Sequence, residues 1–387
     1  PEHWEIVYEE VDRELTKQIQ KIKLARYDMV AISSLTARIL DAYFIADQLR
    51  STGIPVILGG LHVSMLPEEA LTHATAIVQG EGELIWSQVI EDFENGKLQS
   101  VYATSKGSRS RSWFEKIPRY DLLNVQQYQR IPLQTTRGCP LDCSFCAASR
   151  LISSYKIKPI LQVQQELESI LALWPRPFIE LADDNTFVSK TWARSLAKLF
   201  SQYPLKWFTE TDISVAEDEE LLKLLAESHC AQLLIGFEST LSQSLYSLDS
   251  RHWKYQQREH YLKQIQKIQS YGISVNGCFI VGFDEDTPES ISTIFDFVQD
   301  SELSEVQITI LTPFPGTALY QKLKQEGRLL KPIFWESCTL FDVTYVPKKM
   351  SPDALESTFL QLAQKLYSTE ETQKRKQIRT ACFRKKH

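Results

Sequence analysis

Thr135-Thr136-Arg137-Gly138-Cys139-Pro140-Leu141-Asp142-Cys143-Ser144-Phe145-Cys146-Ala147-Ala148-Ser149-Arg150 follows a strand-like run, Ile131 to Thr136, and decides how the rest of the chain reads. Its cysteines stand in a C-x3-C-x2-C spacing. Gly138 and Pro140 forbid a regular helix at the first of them, because proline brings no N–H and glycine favours a sharp turn. The three thiols therefore sit on a loop and can converge on one metal centre. A closed structural zinc site needs four ligands. A [4Fe-4S] cluster held by three thiolates keeps one iron open for a ligand that is not protein.

Downstream, apolar residues recur at helical spacing and alternate with short strand-like runs. Val163, Leu167, Ile170, Leu171 and Trp174 mark one buried helix face. A strand from Phe178 to Leu181 then ends in Asp183-Asp184-Asn185. Further strands run over 206–211, over 232–237 ending in Glu238-Ser239, over 274–282 and over 305–311, each preceded by an amphipathic helical stretch. With the strand before the cysteines this makes six βα steps. Right-handed crossovers curl such a series into a partial, TIM-like (β/α)6 barrel, whose functional groups collect at the carboxyl ends of the strands.

The C-x3-C-x2-C loop, with aromatic Phe145 before its last cysteine, resembles the signature of the radical S-adenosylmethionine (SAM) superfamily. The resemblance implies that Cys139, Cys143 and Cys146 hold a [4Fe-4S] cluster whose open iron is chelated by SAM, and that reductive cleavage yields a 5′-deoxyadenosyl radical. It further implies SAM contacts at Phe145, at Asp183, Asp184 and Asn185 for the amino group, at Glu238 and Ser239 for the ribose, and at Ile280, Gly282, Glu285 (an I-x-G-x-x-E pattern) and Leu311 beside the adenine. An ionised carboxylate suits two hydroxyls because it accepts two hydrogen bonds. Adjacent strand residues face opposite sides, so the spacing leaves open which of Asp183 and Asp184 points inward. Thr317 is the expected N-cap of the helix that follows.

Residues 1–95 also alternate, with extended stretches at 4–11, 28–34, 55–60 and 76–80 and helical ones between them, which predicts a Rossmann-like (flavodoxin-like) parallel sheet domain. Ligands of such sheets bind beyond the carboxyl ends of the strands. Those ends carry Ser33, Gly59-Gly60 with His62, and Gly80 and Gly82. The arrangement resembles the cobalamin-binding domain that precedes many radical SAM enzymes, and these residues are the cobalamin contacts it implies. The chain departs from the pattern in lacking D-x-H-x-x-G, the motif that supplies a lower cobalt ligand elsewhere, and in lacking the usual opening strand and helix. The natural protein is therefore expected to extend upstream, or the ligand site to be degenerate. A ligand-free Rossmann domain is the alternative; in that reading His62 is a hydrogen-bonded loop residue, and Glu81 and Glu83 simply face a helix dipole.

Residues 96–130 lose periodicity and read as a linker, with Ser105 to Ser112 as an exposed connection. The barrel is expected over 131–330. A helical cap over the barrel's open end, including Trp335, is expected over 331–387 with a solvated basic tail from Lys374. With 387 residues, 43% hydrophobic and 24% charged, the chain has ample material for two cores. A net charge of -6 argues against a nucleic-acid-coating surface. The chain has no apolar run long enough to span a membrane, and its seven cysteines suit a reducing compartment, so a cytoplasmic location is expected.

The resulting expectation is a radical SAM enzyme acting on a small or medium organic substrate with a reductant such as flavodoxin or ferredoxin, and methylating carbon through cobalamin. Oxidative cyclisation, rearrangement or methylthiolation on the same scaffold are the alternatives. A non-catalytic iron-sulfur regulatory or interaction protein is the alternative from another class.

Overall fold

The computed structural model describes residues 3–11, 14–104, 114–148 and 151–384. The serine- and arginine-rich connection at 105–112 and the last three residues lie outside them. Two compact units are present: residues 1–128 with 151–154 and 334–336, and residues 129–150, 155–333 and 337–387.

In the first unit α1 (Leu15–Ala25), β1 (Val30–Ser33), α2 (Ile39–Arg50), β2 (Val56–Gly59), the short α3 (Leu61–Met65) and α4 (Pro67–His73), β3 (Ala76–Gln79), α5 (Trp86–Glu94) and β4 (Val101–Ala103) follow in order. The four strands pair in parallel in the order β1-β2-β3-β4. Ile57, Ala76, Val78, Val89 and Tyr102 form a core between β2, β3, β4 and α5. Two expectations need correction. Residues 4–11 add no strand to the sheet, because their anchor is lateral: the Trp4 indole N–H donates to Glu94 at 2.7 Å and its ring meets Phe93 edge-on. Residues 101–103, taken as linker, form the fourth strand, held by the buried Tyr102, whose hydroxyl donates to Asp92 at 2.9 Å.

The second unit is built on a six-stranded sheet, all parallel. Its strands are β5 (Ile131–Leu133), β8 (Phe178–Leu181), β9 (Lys206–Thr211), β10 (Cys230–Glu238), β11 (Ser274–Val281) and β12 (Glu305–Ile310), in that spatial order. The connecting helices are α6 (Ile160–Leu173), α7 (Lys190–Phe200), α8 (Glu219–Glu227), α9 (Ser242–Tyr246), α10 (Trp253–Gln257), α11 (Tyr261–Ser270) and α12 (Pro288–Asp300). Because spatial order follows chain order, every crossover reaches its immediate neighbour and the sheet curls. β5 and β12 do not pair with each other, so the barrel stays open. A two-stranded antiparallel ribbon, β6 (Thr136–Arg137) with β7 (Lys156–Ile157), brackets the cysteine loop at its base.

Outward strand residues such as Ile179, Leu181, Trp207, Leu233, Ile235 and Val275 are buried under the helices. The alternate positions face the lumen and are polar to a large extent, with Glu180, Glu210, Asn276, Cys278 and Gln307 among them. α13 (Ala318–Gln325) starts at Thr317, whose hydroxyl accepts from the Tyr320 N–H as expected of an N-cap.

The two last helices, α14 (Pro352–Leu366) and α15 (Thr369–Arg384), pack against α12, β11 and β12, and Leu355 of α14 meets Gly282 just beyond the carboxyl end of β11. At their junction the Tyr367 hydroxyl accepts from Ile308 N–H and donates to the Val306 carbonyl, both at 3.3 Å, and so satisfies backbone groups of β12 that have no strand partner. The basic tail is helical through Arg384, and Arg375 is buried with its guanidinium donating to the Leu366 carbonyl at 2.6 Å.

Candidate functional site

The cysteine loop is tied to the carboxyl end of the barrel by bonds that do not involve its thiols. Ser144 N–H donates to the Leu248 carbonyl, and the Ser144 carbonyl accepts from Leu319 N–H, each at 2.9 Å. Ser250 N–H donates to the Asp142 carboxylate at 3.0 Å. The Phe145 ring meets Phe283 edge-on at 6.2 Å.

Cys139 and Cys143 have distinct neighbourhoods. Burial holds Cys139 above the usual thiol range, with Asn185, Asp184 and Asp212 in its field. Burial pushes Cys143 up to about 12, against the pull of Lys254 and with Glu238 and Cys146 nearby. Sulfurs kept from ionising by burial fit a metal centre, because coordination supplies the positive charge that a bare thiolate would lack. No three His, Cys, Asp or Glu side chains among the described residues stand close enough to share a single ion. A closed zinc site needs four ligands, whereas a [4Fe-4S] cube gives each of three thiolates its own iron and leaves the fourth iron without a protein ligand, which suits a loop carrying three cysteines.

The acidic residues after β8 divide. Asp183 is buried, and its carboxylate accepts from Thr135 N–H (2.7 Å), Thr136 N–H (2.9 Å), the Thr135 hydroxyl (2.5 Å) and the Thr186 hydroxyl (3.0 Å). That carboxylate is fully engaged in fastening β8 to the start of the cysteine loop, so its expected contact to SAM is corrected to a structural role. Asp184 is only half-buried. Asn185, bonded through Nδ2 to Asp212 at 2.8 Å, lies beside Cys139.

Glu238 stands where β10 ends, with a left-handed φ of 66° after a register shift in the β10–β11 pairing. Its carboxylate accepts from Lys254 Nζ at 2.6 Å, and the same ammonium donates to the Gly236 carbonyl at 2.5 Å. A Cβ on Gly236 would fall 2.2 Å from the Glu238 carboxylate, so only glycine leaves room for the pair. Burial opposes the charge on Lys254, yet Glu238 and Cys143 together hold it above the ordinary lysine value. Sequence reading missed Lys254, which lies in the short α10 with no motif around it. Ser239 accepts from Leu241 N–H at 3.0 Å.

Glu285 is corrected too. It is exposed and paired with Lys349 at 2.6 Å. Its neighbour Asp286 is the buried one, accepting from Gly282 N–H (2.8 Å), Phe283 N–H (3.0 Å) and the Ser244 hydroxyl (3.1 Å). Asp286 thereby fixes the turn after β11, where Gly282 takes a φ of 103° and packs against Tyr345 and Leu355. Ile280 lies half-buried on β11, and Leu311 is buried with its N–H donating to the Val281 carbonyl at 2.9 Å. Asp286→Ala is expected to cost roughly 2–4 kcal/mol by stranding those donors, whereas Glu285→Ala should stay within about 0.5 kcal/mol. Equal shifts in the urea midpoint would contradict the assignment.

Glu210 is accessible from the lumen, yet desolvation by the surrounding barrel walls and then the carboxylates of Asp184, Glu180 and Glu238 push it up to about 7. The folded protein then binds a proton that the unfolded chain releases near 4.5. This contribution to stability is present at low pH and is lost as pH rises through about 7. Glu210→Gln is therefore expected to flatten the decline of the urea midpoint between pH 5 and 8; an unchanged slope would contradict it.

In the first unit, Ser33, Gly59, Gly60 and Gly80 lie at or just beyond the carboxyl ends of β1, β2 and β3. A Cβ on Gly60 would meet the Ser33 hydroxyl at 3.1 Å, and one on Gly80 would meet the Thr104 hydroxyl at 2.2 Å, so these loops cross closely. Gly82 opens a short 3-10 turn with Glu83 in it. Glu81, expected to face a helix dipole, is buried and accepts from the Ser153 hydroxyl at 3.1 Å. His62 is corrected from a cobalamin contact to a core residue. Its ring nitrogens lie 3.3 Å from the Thr36 hydroxyl and 3.3 Å from Glu69, and Trp335 packs edge-on against it at 5.2 Å. Burial lowers its pKa despite Glu69. The Trp335 indole N–H donates to Glu69 at 3.0 Å, so this residue belongs to the first unit rather than to the C-terminal helices.

An open parallel barrel with three cysteines on the loop after its first strand, together with a Rossmann-like sheet, defines a two-domain cluster enzyme. Residues 133–298 match the radical SAM superfamily model, residues 2–90 match the B12 binding domain, and residues 317–385 match a domain of unknown function, DUF4070. The cofactors of these two domains are a [4Fe-4S] cluster, SAM and cobalamin. The chain is 28% identical over 360 residues to bacteriochlorophyllide d C-12(1)-methyltransferase of Chlorobaculum tepidum, covering 91% of this chain and 77% of that one. It is 24% identical over 372 residues to the anaerobic magnesium-protoporphyrin IX monomethyl ester cyclase of Rubrivivax gelatinosus, covering 87% and 64%. In fold it is similar to the radical SAM methyltransferase TsrM of Kitasatospora setae (TM-score 0.68, 16% identity, 90% of this chain and 75% of that one). It is likewise similar to OxsB, a cobalamin-dependent SAM radical enzyme (TM-score 0.61, 17% identity, 92% and 56%). Among the described residues no helix is long and apolar enough to cross a membrane.

Proposed function

We propose that the protein is a cobalamin-dependent radical SAM methylase that transfers a methyl group to carbon of an organic substrate. One observation carries the reading: the cysteine loop is anchored at the carboxyl end of the open barrel, where Cys139 neighbours Asn185 and Cys143 neighbours the Glu238–Lys254 pair. When bound, the cluster supplies the electron that cleaves SAM, and cobalamin carries the methyl group; the protein orients them and excludes water.

In this reading Cys139, Cys143 and Cys146 hold the cluster. Glu238, oriented by Lys254, accepts from the SAM ribose hydroxyls. Asp184 and Asn185 receive the amino group, Phe145, Ile280, Gly282 and Leu311 bound the nucleoside, and Ser239 shapes the turn beside it. Ser33, Gly59, Gly60, Gly80 and Gly82 approach the corrin through backbone. The half-polar lumen, with Glu180, Glu210 and Gln307, suits a substrate bearing hydrogen-bond donors.

The relatives that are methyltransferases favour methylation over the cyclisation outcome. The test is anaerobic reconstitution with iron, sulfide and hydroxocobalamin, followed by methyl-labelled SAM, dithionite and porphyrin or chlorophyllide acceptors. The expected products are 5′-deoxyadenosine, S-adenosylhomocysteine and an acceptor heavier by one methylene. Formation of 5′-deoxyadenosine with no labelled methyl in any product would move the reading to a non-methylating radical reaction, and absence of both nucleosides would overturn it.

A further inference from the structure

Asn185 is 3% exposed, so its side-chain amide has to find its partners inside the protein. Three of them are fixed. Nδ2 donates to the Asp212 carboxylate at 2.8 Å, while Oδ1 accepts from the Thr211 hydroxyl at 3.3 Å and from Asp212 N–H at 3.4 Å. Asp212 is itself held, because its other carboxylate oxygen caps the 3-10 turn after β9 by accepting from Ser214 N–H at 2.9 Å. These partners decide which way the amide points. Turned over, it would set its carbonyl against a carboxylate and its NH2 against the Asp212 N–H.

An asparagine amide has two N–H groups, and Asp212 takes one. The other is directed at the Cys139 sulfur. Burial raises the Cys139 thiol above its ordinary range, and against that the Leu141 backbone N–H and the Asn185 amide pull it down, which only donors to the sulfur do. The same end of β8 is fastened through Asp183 to the backbone of Thr135 and Thr136, at the start of the cysteine loop. Amide and sulfur are thus held together from both sides, by the network on Asp212 and by the one on Asp183.

We propose that Asn185, positioned by Asp212 and Thr211, donates a hydrogen bond to the Cys139 sulfur and thereby raises the reduction potential of the cluster held there. The inference rests on the radical SAM reading above and gives Asn185 a duty besides its contact with SAM. Hydrogen bonds to cluster sulfurs are among the levers that set such potentials, because a donor stabilises the form that carries more negative charge, which is the reduced one. Asp212 and Thr211 act only through the amide, so they are positioning residues.

The test uses the full chain with its reconstituted cluster and no SAM, in a redox titration followed by electron paramagnetic resonance. Asn185→Leu keeps the size of the side chain and removes the donor. At the midpoint potential of the unaltered protein its ratio of reduced to oxidised cluster is expected to be at least tenfold lower, which for one electron is a shift of about 59 mV. Gln307→Leu, the same kind of change on the lumen side of β12, is expected to keep the ratio within twofold. A second measurement needs no variant: labelling the asparagines of the unaltered protein with nitrogen-15 is expected to add a nitrogen-15 coupling to the hyperfine spectrum of the reduced cluster. The proposal is overturned if Asn185→Leu keeps the ratio within twofold, if Gln307→Leu lowers it as far, or if the label gives no coupling. An unaltered protein that assembles no four-iron cluster would sink the radical SAM reading and this inference with it.

Discussion

Replacing Cys139, Cys143 or Cys146 singly with alanine is expected to lower reconstituted iron from about four to below one per chain and to reduce 5′-deoxyadenosine formation by at least a hundredfold. The magnitude follows from the ligand count. Three thiolates are the protein's whole share of the cluster, and two on a partly exposed loop cannot balance the cube against loss to solvent. The loop itself should survive, because Ser144 and Asp142 tie it to Leu248, Leu319 and Ser250 through groups other than the thiols. Circular dichroism of the three variants should therefore match the parent. The same alanine change at Cys230, buried and remote in sequence from the loop, is expected to leave iron content intact.

Asp183→Ala is expected to be the most destabilising single change in the second unit, costing about 3–5 kcal/mol in urea denaturation. The carboxylate accepts four hydrogen bonds from Thr135, Thr136 and Thr186, all of them buried, and truncation leaves those donors without an acceptor. Asp183→Asn keeps the shape but turns one acceptor into a donor facing donors, so an intermediate loss of about 2 kcal/mol is expected. Asp184→Ala should cost less than about 0.5 kcal/mol and act on SAM cleavage instead. If Asp183→Ala folded as stably as the parent while Asp184→Ala did not, the division of labour drawn here would be wrong.

The barrel was readable because its helices repeat apolar residues at 3.6 spacing and its strands end in polar clusters, as at Phe178–Leu181 followed by Asp183-Asp184-Asn185. The cysteine loop was readable from spacing alone. Periodicity could not separate Asp183 from Asp184, or Glu285 from Asp286, because adjacent residues carry the same chemistry and only the tertiary donors around Thr135 or Gly282 choose between them. Lys254 escaped notice for a related reason: its importance comes from Glu238 and Gly236, 16 and 18 positions away in the chain. His62 drew attention as a possible ligand residue, yet its partners Glu69 and Trp335 turn it inward. Trp335 lies 266 positions from Glu69, a pairing no local pattern encodes. The extended run at 4–11 failed as a strand because alternation can signal packing on a helix, here Trp4 on Phe93, as well as pairing.

The central claim is that three cysteines hold a four-iron cluster with one iron left for SAM. Electron paramagnetic resonance of the dithionite-reduced, anaerobically reconstituted protein, recorded with and without SAM, tests it most directly. A [4Fe-4S] signal whose g values shift when SAM is added is the predicted result. A signal indifferent to SAM, or a protein that holds zinc in a four-ligand cage and shows no cluster signal, would contradict it.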